Sequence, residues 1–279
     1  MDLKAFFRLT RIEHSLFLAL AVLVGEIVVT KEIALWPTIF GVLSVFFIGL
    51  GSFALNDFMD YPTDKKNKRK DRPIVNGTIS AWAAMVTAKV SFPLGVLFAL
   101  LVNMNCFWIA VVFSVLAILY SYTLKKLLLL GNMFIAFSMA VPFIFGNYIV
   151  SGQISASTQV LASIAFLVGL GREIIKSVQD MVGDKKYGRW TLPIALGKTI
   201  SKYFAVLYIL IAIVMSPIPF LLLPKFQDNW LYMGPVIVTD VILLWNVWSM
   251  VRLKELERVR KLTLLALGIG LVGFLLGAL

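Results

Sequence analysis

The sequence predicts an all-α membrane protein that crosses the bilayer several times. Three observations predict it: mean hydropathy is +0.90, only 15% of the 279 residues are charged, and apolar runs of near-membrane length follow one another along the whole chain. Nine such runs can be bounded by charge breaks: 12–29, 36–55, 81–101, 106–122, 127–150, 158–175, 203–223, 230–252 and 262–279. One integral domain spanning 1–279 is the simplest organisation. The N-terminus lacks the pattern of a removable signal peptide. Cys106 stands alone, so no intrachain disulfide is possible.

The elements justify themselves in order. Lys4, Arg8 and Arg11 precede the first run, which ends before Lys31. The second ends at Asn56-Asp57, before a link of about 56–80 that carries six Lys and Arg residues. Ser80, before Ala81 and Trp82, reads as an N-cap that opens the third. Lys125 and Lys126 divide the fourth from the fifth, and a second long link of about 176–202 separates the sixth from the seventh. Arg252, Lys254, Arg258, Arg260 and Lys261 lie between the eighth and ninth. Basic links therefore alternate with nearly neutral ones. Of the 26 Lys and Arg residues, all but Lys31, Lys89 and Lys225 fall on one side. The positive-inside rule makes that side cytoplasmic, with the N-terminus in. The net charge of +11 is then accounted for by topology, and nucleic acid is not an expected partner.

The two long links carry related motifs. Asn56-Asp57-Phe-Met-Asp60 continues through Asp64-Lys65-Lys66, and Asp180 is followed by Asp184-Lys185-Lys186. D-x-x-x-D-K-K thus occurs twice at matching positions, which points to two related halves plus a ninth helix. A single copy would be an ordinary solvated loop. A spacing of four puts two carboxylates one turn apart on one helix face. Oxygen ligands so placed suit Mg²⁺, which is commonly shared between carboxylates and substrate phosphates. Lys65, Lys66, Arg72, Lys125, Lys126, Lys176, Lys185 and Lys186 are the available countercharges.

Two acids within the runs, Glu26 and Asp240, read as structural groups, and His14 as an interfacial residue rather than a ligand. Trp36, Trp82, Trp108, Trp230 and Tyr203, near the ends of runs, suit an aromatic belt. An internal repeat is also found in transporters. Transporter sites lie near the midplane, however, whereas these acid pairs lie at helix ends. The scarcity of His argues against a histidine-based lipid phosphatase.

These motifs resemble the UbiA superfamily of intramembrane prenyltransferases. Asn56-Asp57-x-x-Asp60-x-x-x-Asp64 matches its first motif and Asp180-x-x-x-Asp184 its second. Arg72-Pro73, Tyr120-Ser121-Tyr122 with Lys125-Lys126, Gly131-Asn132, Arg172-Glu173-Ile174-Ile175-Lys176, Gly188 and Thr191-Leu192-Pro193 support it. Within the superfamily the second link is most similar to archaeal digeranylgeranylglyceryl phosphate synthases, rather than to the branches that prenylate aromatic or haem precursors. The resemblance implies a nine-helix bundle around a central cavity open sideways to lipid. It implies Mg²⁺-dependent transfer of a geranylgeranyl group from its diphosphate to a lipid acceptor, at the cytoplasmic face of the cell membrane. Asn56, Asp60, Asp180 and Asp184 are then the expected catalytic and Mg²⁺-binding residues. Asp57, Asp64, Arg72, Tyr120, Ser121, Lys126 and Lys176 are expected to bind substrate. Two positions depart from the pattern: Ser177 stands where many relatives have Asp, and Ile12 where Pro is common after Arg11.

Overall fold

The structure, a computed structural model, describes residues 3–279 and is almost wholly helical. A short amphipathic helix, α1 (Leu3–Thr10), breaks at Arg11, whose φ of 42° is left-handed, and the chain turns into α2 (Ile12–Val29). Then come α3 (Leu35–Lys66), α4 (Ala81–Leu100), α5 (Met104–Tyr122), α6 (Leu130–Val150) and α7 (Ala156–Lys186). The chain ends with α8 (Leu192–Met215), α9 (Ile218–Leu222), α10 (Trp230–Val251) and α11 (Leu256–Ala278). Among the described residues nine helical segments are long and apolar enough to cross a membrane, with α8 and α9 forming one. Large apolar side chains such as Phe17, Trp82 and Val214 are exposed around the bundle, a surface suited to lipid rather than water. The five belt aromatics are likewise exposed, and Ser80 accepts from the Ala83 N–H to cap α4.

The links at 56–80 and 176–202 depart from the reading above. Residues 56–66 are the last turns of α3 and residues 176–186 those of α7, so both motifs ride on continuous helices that outrun their apolar stretches. The polar tails remain helical because one face of each is still buried, through Asp57 and Asp64 on α3 and Val178 and Asp184 on α7. The seventh run also begins earlier, at Leu192, behind Pro193 in the first turn. It bends at Gly197, whose φ of 82° only glycine adopts without strain.

Between these helices the connections are tied by backbone. Leu127–Leu128 (β1), after a 3₁₀ turn at Leu124–Lys126, pairs in parallel with Trp190–Thr191 (β2), in register Leu127 with Trp190 and Leu128 with Thr191.

Bilayer lipid gives helices little hydrophobic reason to associate, so close approach and buried polar contacts do more of the work. Helices α2 and α6 meet through glycine on both sides. A Cβ on Gly25 would lie 2.3 Å from the Phe143 carbonyl oxygen, and one on Gly146 2.0 Å from that of Val22. The intramembrane acids are structural. Glu26 is fully buried and accepts from the Ala34 N–H (3.1 Å) and the Thr38 hydroxyl (2.8 Å), holding the start of α3. Asp240 accepts from the Ser216 hydroxyl at 2.6 Å and so joins α10 to the end of α8.

Gly146→Ala is expected to lower stability by about 1–3 kcal/mol, the cost of overpacking a rigid contact. Gly234→Ala in α10, where an added methyl meets nothing within 4 Å, serves as the control. Thermal unfolding of both variants in detergent tests this, and equal melting temperatures would refute the contact.

Candidate active site

The polar tails of α3 and α7 enclose the mouth of one cavity of about 660 Å³, within the usual range for ligand sites. Its walls divide by chemistry. Deep in the bundle they are apolar: Leu18, Val45, Ile48, Ile109, Phe113, Phe134, Ile135, Val141 and Phe145. Toward the motif end they carry Asn56, Asp60, Asp64, Glu173, Asp180 and Asp184 with Arg11, Arg69, Arg72, Lys125, Lys176, Arg189 and Arg260. One end of this chamber suits a hydrocarbon tail and the other a polyanion.

The acids differ in what they hold. Asp57, only 3% exposed, does not line the chamber. It turns inward and accepts from Arg72 Nη1 at 2.6 Å and Arg11 Nη2 at 3.3 Å. Arg72 also pairs through Nε with Asp64 Oδ2 at 3.5 Å, and Arg69 Nη1 stands 3.8 Å from Asp64 Oδ1. Asp57 and Asp64 thus anchor the 67–80 loop and aim its arginines into the cavity. Arg11, left open by the sequence, belongs to this cluster and stacks over Phe53 at 5.0 Å.

Asp60, one turn further along α3, lines the chamber. Lys125 Nζ donates to it at 2.7 Å and Arg189 Nη2 lies 3.8 Å away. Arg189 Nη1 donates to Asp184 at 3.0 Å. One guanidinium therefore spans a carboxylate from each motif, and the twin sequences face a common space. Burial pushes the Lys125 ammonium below the usual lysine range, while the neighbouring Asp60 charge works to raise it.

The remaining residues fall on and off the chamber. Tyr120 lines it, its ring stacked on Phe134 at 4.7 Å. Ser121 lines it but gives its proton to the Ala117 carbonyl. Lys176 lines it and reaches Glu173 at 3.4 Å. Lys126 does not: it is exposed at the end of the 3₁₀ turn, and Lys125, one residue earlier, lines the chamber instead. Arg189 was read from sequence only as a topology charge. Ser177 lines the chamber and accepts from the Asn132 amide at 2.9 Å, so a neutral oxygen occupies the place of a carboxylate. His14 is exposed, against Phe53 and Glu13.

The donors fit a magnesium ion that shares its shell with substrate. Asn56 and Asp180 line the chamber with no side-chain partner among the described residues, leaving hard oxygens uncommitted. No three acidic, His or Cys side chains among the described residues close into a ready cage. Phosphate oxygens and waters would have to complete such a shell, as is usual for Mg²⁺.

A membrane-embedded bundle whose cavity joins an apolar barrel to an acid- and arginine-rich mouth defines an intramembrane enzyme for prenyl diphosphates. The sequence profile of the UbiA prenyltransferase family matches residues 16–275, and the chain belongs to that family. It is 42% identical to the digeranylgeranylglyceryl phosphate synthase of Archaeoglobus fulgidus, covering 99% of this chain and 96% of that one. It is 31% identical to the enzyme of the same name from Methanopyrus kandleri, over 98% of both chains. A solved structure of a digeranylgeranylglyceryl phosphate synthase superposes with a TM-score of 0.83 at 28% identity, covering 100% of this chain and 99% of the other. A UbiA homolog from Archaeoglobus fulgidus bound to GPP and Mg²⁺ shares the fold, with a TM-score of 0.71 at 18% identity over 97% of this chain and 99% of that one.

Asp57→Asn removes the anion between two largely buried arginines and is expected to cost on the order of 3 kcal/mol of stability. Asp71→Asn, at the exposed Arg69–Asp71 pair, should cost less than about 1 kcal/mol. Unfolding of the two variants side by side is the check.

Proposed function

We propose that the protein transfers a geranylgeranyl group from geranylgeranyl diphosphate to geranylgeranylglyceryl phosphate, forming digeranylgeranylglyceryl phosphate for archaeal ether lipids. The observation that carries this is the convergence of Asp60 and Asp184 on one guanidinium at the mouth of an apolar chamber. The two full-length synthases named above support the acceptor. So does the surplus of cations over acids at the mouth, since this donor and this acceptor each bring phosphate.

Asn56, Asp60, Asp180 and Asp184 would hold magnesium. When bound, the ion offsets negative charge that builds on the diphosphate as the allylic C1–O bond breaks. Arg72, Lys125, Lys176 and Arg189 supply positive charge around the same oxygens. Asp57 and Asp64 position Arg72 rather than touch substrate. Tyr120 and Ser121 form the wall where the head group meets the tail. The apolar barrel holds the prenyl chain and keeps water from the allylic cation. The acceptor hydroxyl oxygen then bonds to C1, the diphosphate leaves with the bonding electrons, and the hydroxyl proton is released. The basic loops, and with them this mouth, face the cytoplasm with the N-terminus on the same side. The D-x-x-x-D-K-K copies on α3 and α7 mark two related halves of one domain.

Membranes carrying the protein should convert geranylgeranyl diphosphate and geranylgeranylglyceryl phosphate to product in a magnesium-dependent reaction, in preference to hydroxybenzoate or naphthoate acceptors. Asp60→Ala and Asp184→Ala should each lower the rate by about 10²–10³-fold or more, the scale of losing one preorganised electrostatic contact. Full activity in both variants refutes the site. Prenylation of the aromatic acids alone refutes the acceptor.

A further inference from the structure

Beside the main chamber, a second and smaller cavity of about 240 Å³ opens between α7 and α11. Arg172, Gln179 and Asp180 come from one face of α7, and Glu257, Arg260, Lys261 and Leu264 from one face of α11, at i, i+3, i+4 and i+7. Asp180 and Arg260 border both cavities, so the two share the wall that carries the second motif.

Lys261 is held by Glu257 at 2.9 Å, while the two arginines are incompletely satisfied. Arg172 pairs with Glu173, and Arg260 Nη1 donates to Gln179 Oε1 at 3.1 Å. The Nε of each arginine is buried with no hydrogen-bond partner among the described residues. Two guanidiniums are thus close enough to repel, each with an unused buried donor. A dianionic phosphate offsets this repulsion and accepts several charge-assisted hydrogen bonds at once from the two guanidiniums that line the groove. A cluster of like charge kept beside a reacting centre for packing alone would be costly. The exposed apolar Leu264 continues the groove along α11 toward the lipid-facing surface.

We propose that this groove is the subsite for the acceptor's phosphate monoester, bound by Arg172 and Arg260 with Lys261 at its rim, the acceptor's prenyl chain lying along α11. This rests on the acceptor proposed above. It separates two anions that a single mouth would crowd together, with the donor diphosphate between the motifs and the acceptor phosphate across Asp180. The acceptor's hydroxyl is thereby delivered from the α7–α11 side.

The test uses the full chain in nanodiscs, with Arg260→Gln and the charge-conserving Arg260→Lys. Arg260→Gln should raise the KM for geranylgeranylglyceryl phosphate by about tenfold or more, the effect of one lost charge-assisted hydrogen bond. Magnesium-dependent binding of a non-reactive thio-analogue of geranylgeranyl diphosphate should weaken far less than acceptor binding, because Arg260 also borders the main chamber, and Arg260→Lys should recover part of the acceptor affinity. Inorganic phosphate should compete with the acceptor in the parent and more weakly in Arg260→Gln. If the parent turns over this acceptor and Arg260→Gln leaves its KM unchanged, the groove proposal is wrong while the function stands. Loss of donor-analogue binding would assign the groove to the diphosphate instead. If the substitution changes only retention of anionic bilayer lipid, compared in anionic and neutral nanodiscs, the phosphate belongs to the bilayer and the proposal is again overturned. A parent that binds donor and analogue yet never prenylates geranylgeranylglyceryl phosphate removes the functional reading itself.

Discussion

Carboxylates at the end of a membrane bundle are costly unless positive charge meets them, and this requirement organises the mouth of the chamber. The cations come from separate places in the chain. Arg11 lies between α1 and α2, Arg69 and Arg72 in the loop after α3, Lys125 in the turn after α5, and Arg189 before α8. Each loop is fixed by the acid it must neutralise. The inward pair, Asp57 with Arg72, sets the loop after α3. The outward set, Asp60 and Asp184 with Lys125 and Arg189, sets the space in which an anionic substrate would exchange partners with the protein. Arg189 occupies the position between the motifs where a shared positive charge is needed.

Beneath that mouth the packing follows different rules. The apolar barrel is walled by α2, α3, α5 and α6, with α2 and α6 brought together at Gly25 and Gly146. Small residues where helices touch and larger ones where they part divide the bundle into wall and chamber. Buried acids reinforce the walls rather than the chemistry, with Glu26 and Asp240 each bonded to hydroxyls at the ends of neighbouring helices.

Much of this was legible in the sequence, because hydropathy and charge are long-range signals. The nine runs, the basic side and the twin acid pairs could be read without a structure. What could not be read is local direction. The helices continue through Asn56–Lys66 and Lys176–Lys186 although the sequence there turns polar, since backbone hydrogen bonds and one buried face suffice to carry a helix past its apolar stretch. Lys125 and Lys126 are indistinguishable as letters, and the 3₁₀ turn decides which one enters the chamber. Asp57 and Asp60 sit one turn apart on one motif yet take different partners, a difference that depends on where Arg72 arrives after a folded loop. Arg189 lay among many topology charges, and its proximity to the second motif and to Gly188 was the only available hint.

The pairing of Leu127–Leu128 with Trp190–Thr191 has a mechanical meaning. Lys125 and Arg189, the two cations on Asp60, stand at the near ends of strands joined by main-chain bonds. Their backbones are therefore held side by side, whatever rotamers the two side chains adopt. The first and second halves of the chain thus meet at the mouth through main-chain bonds as well as through ions, which fixes the spacing of the two backbones that present these cations.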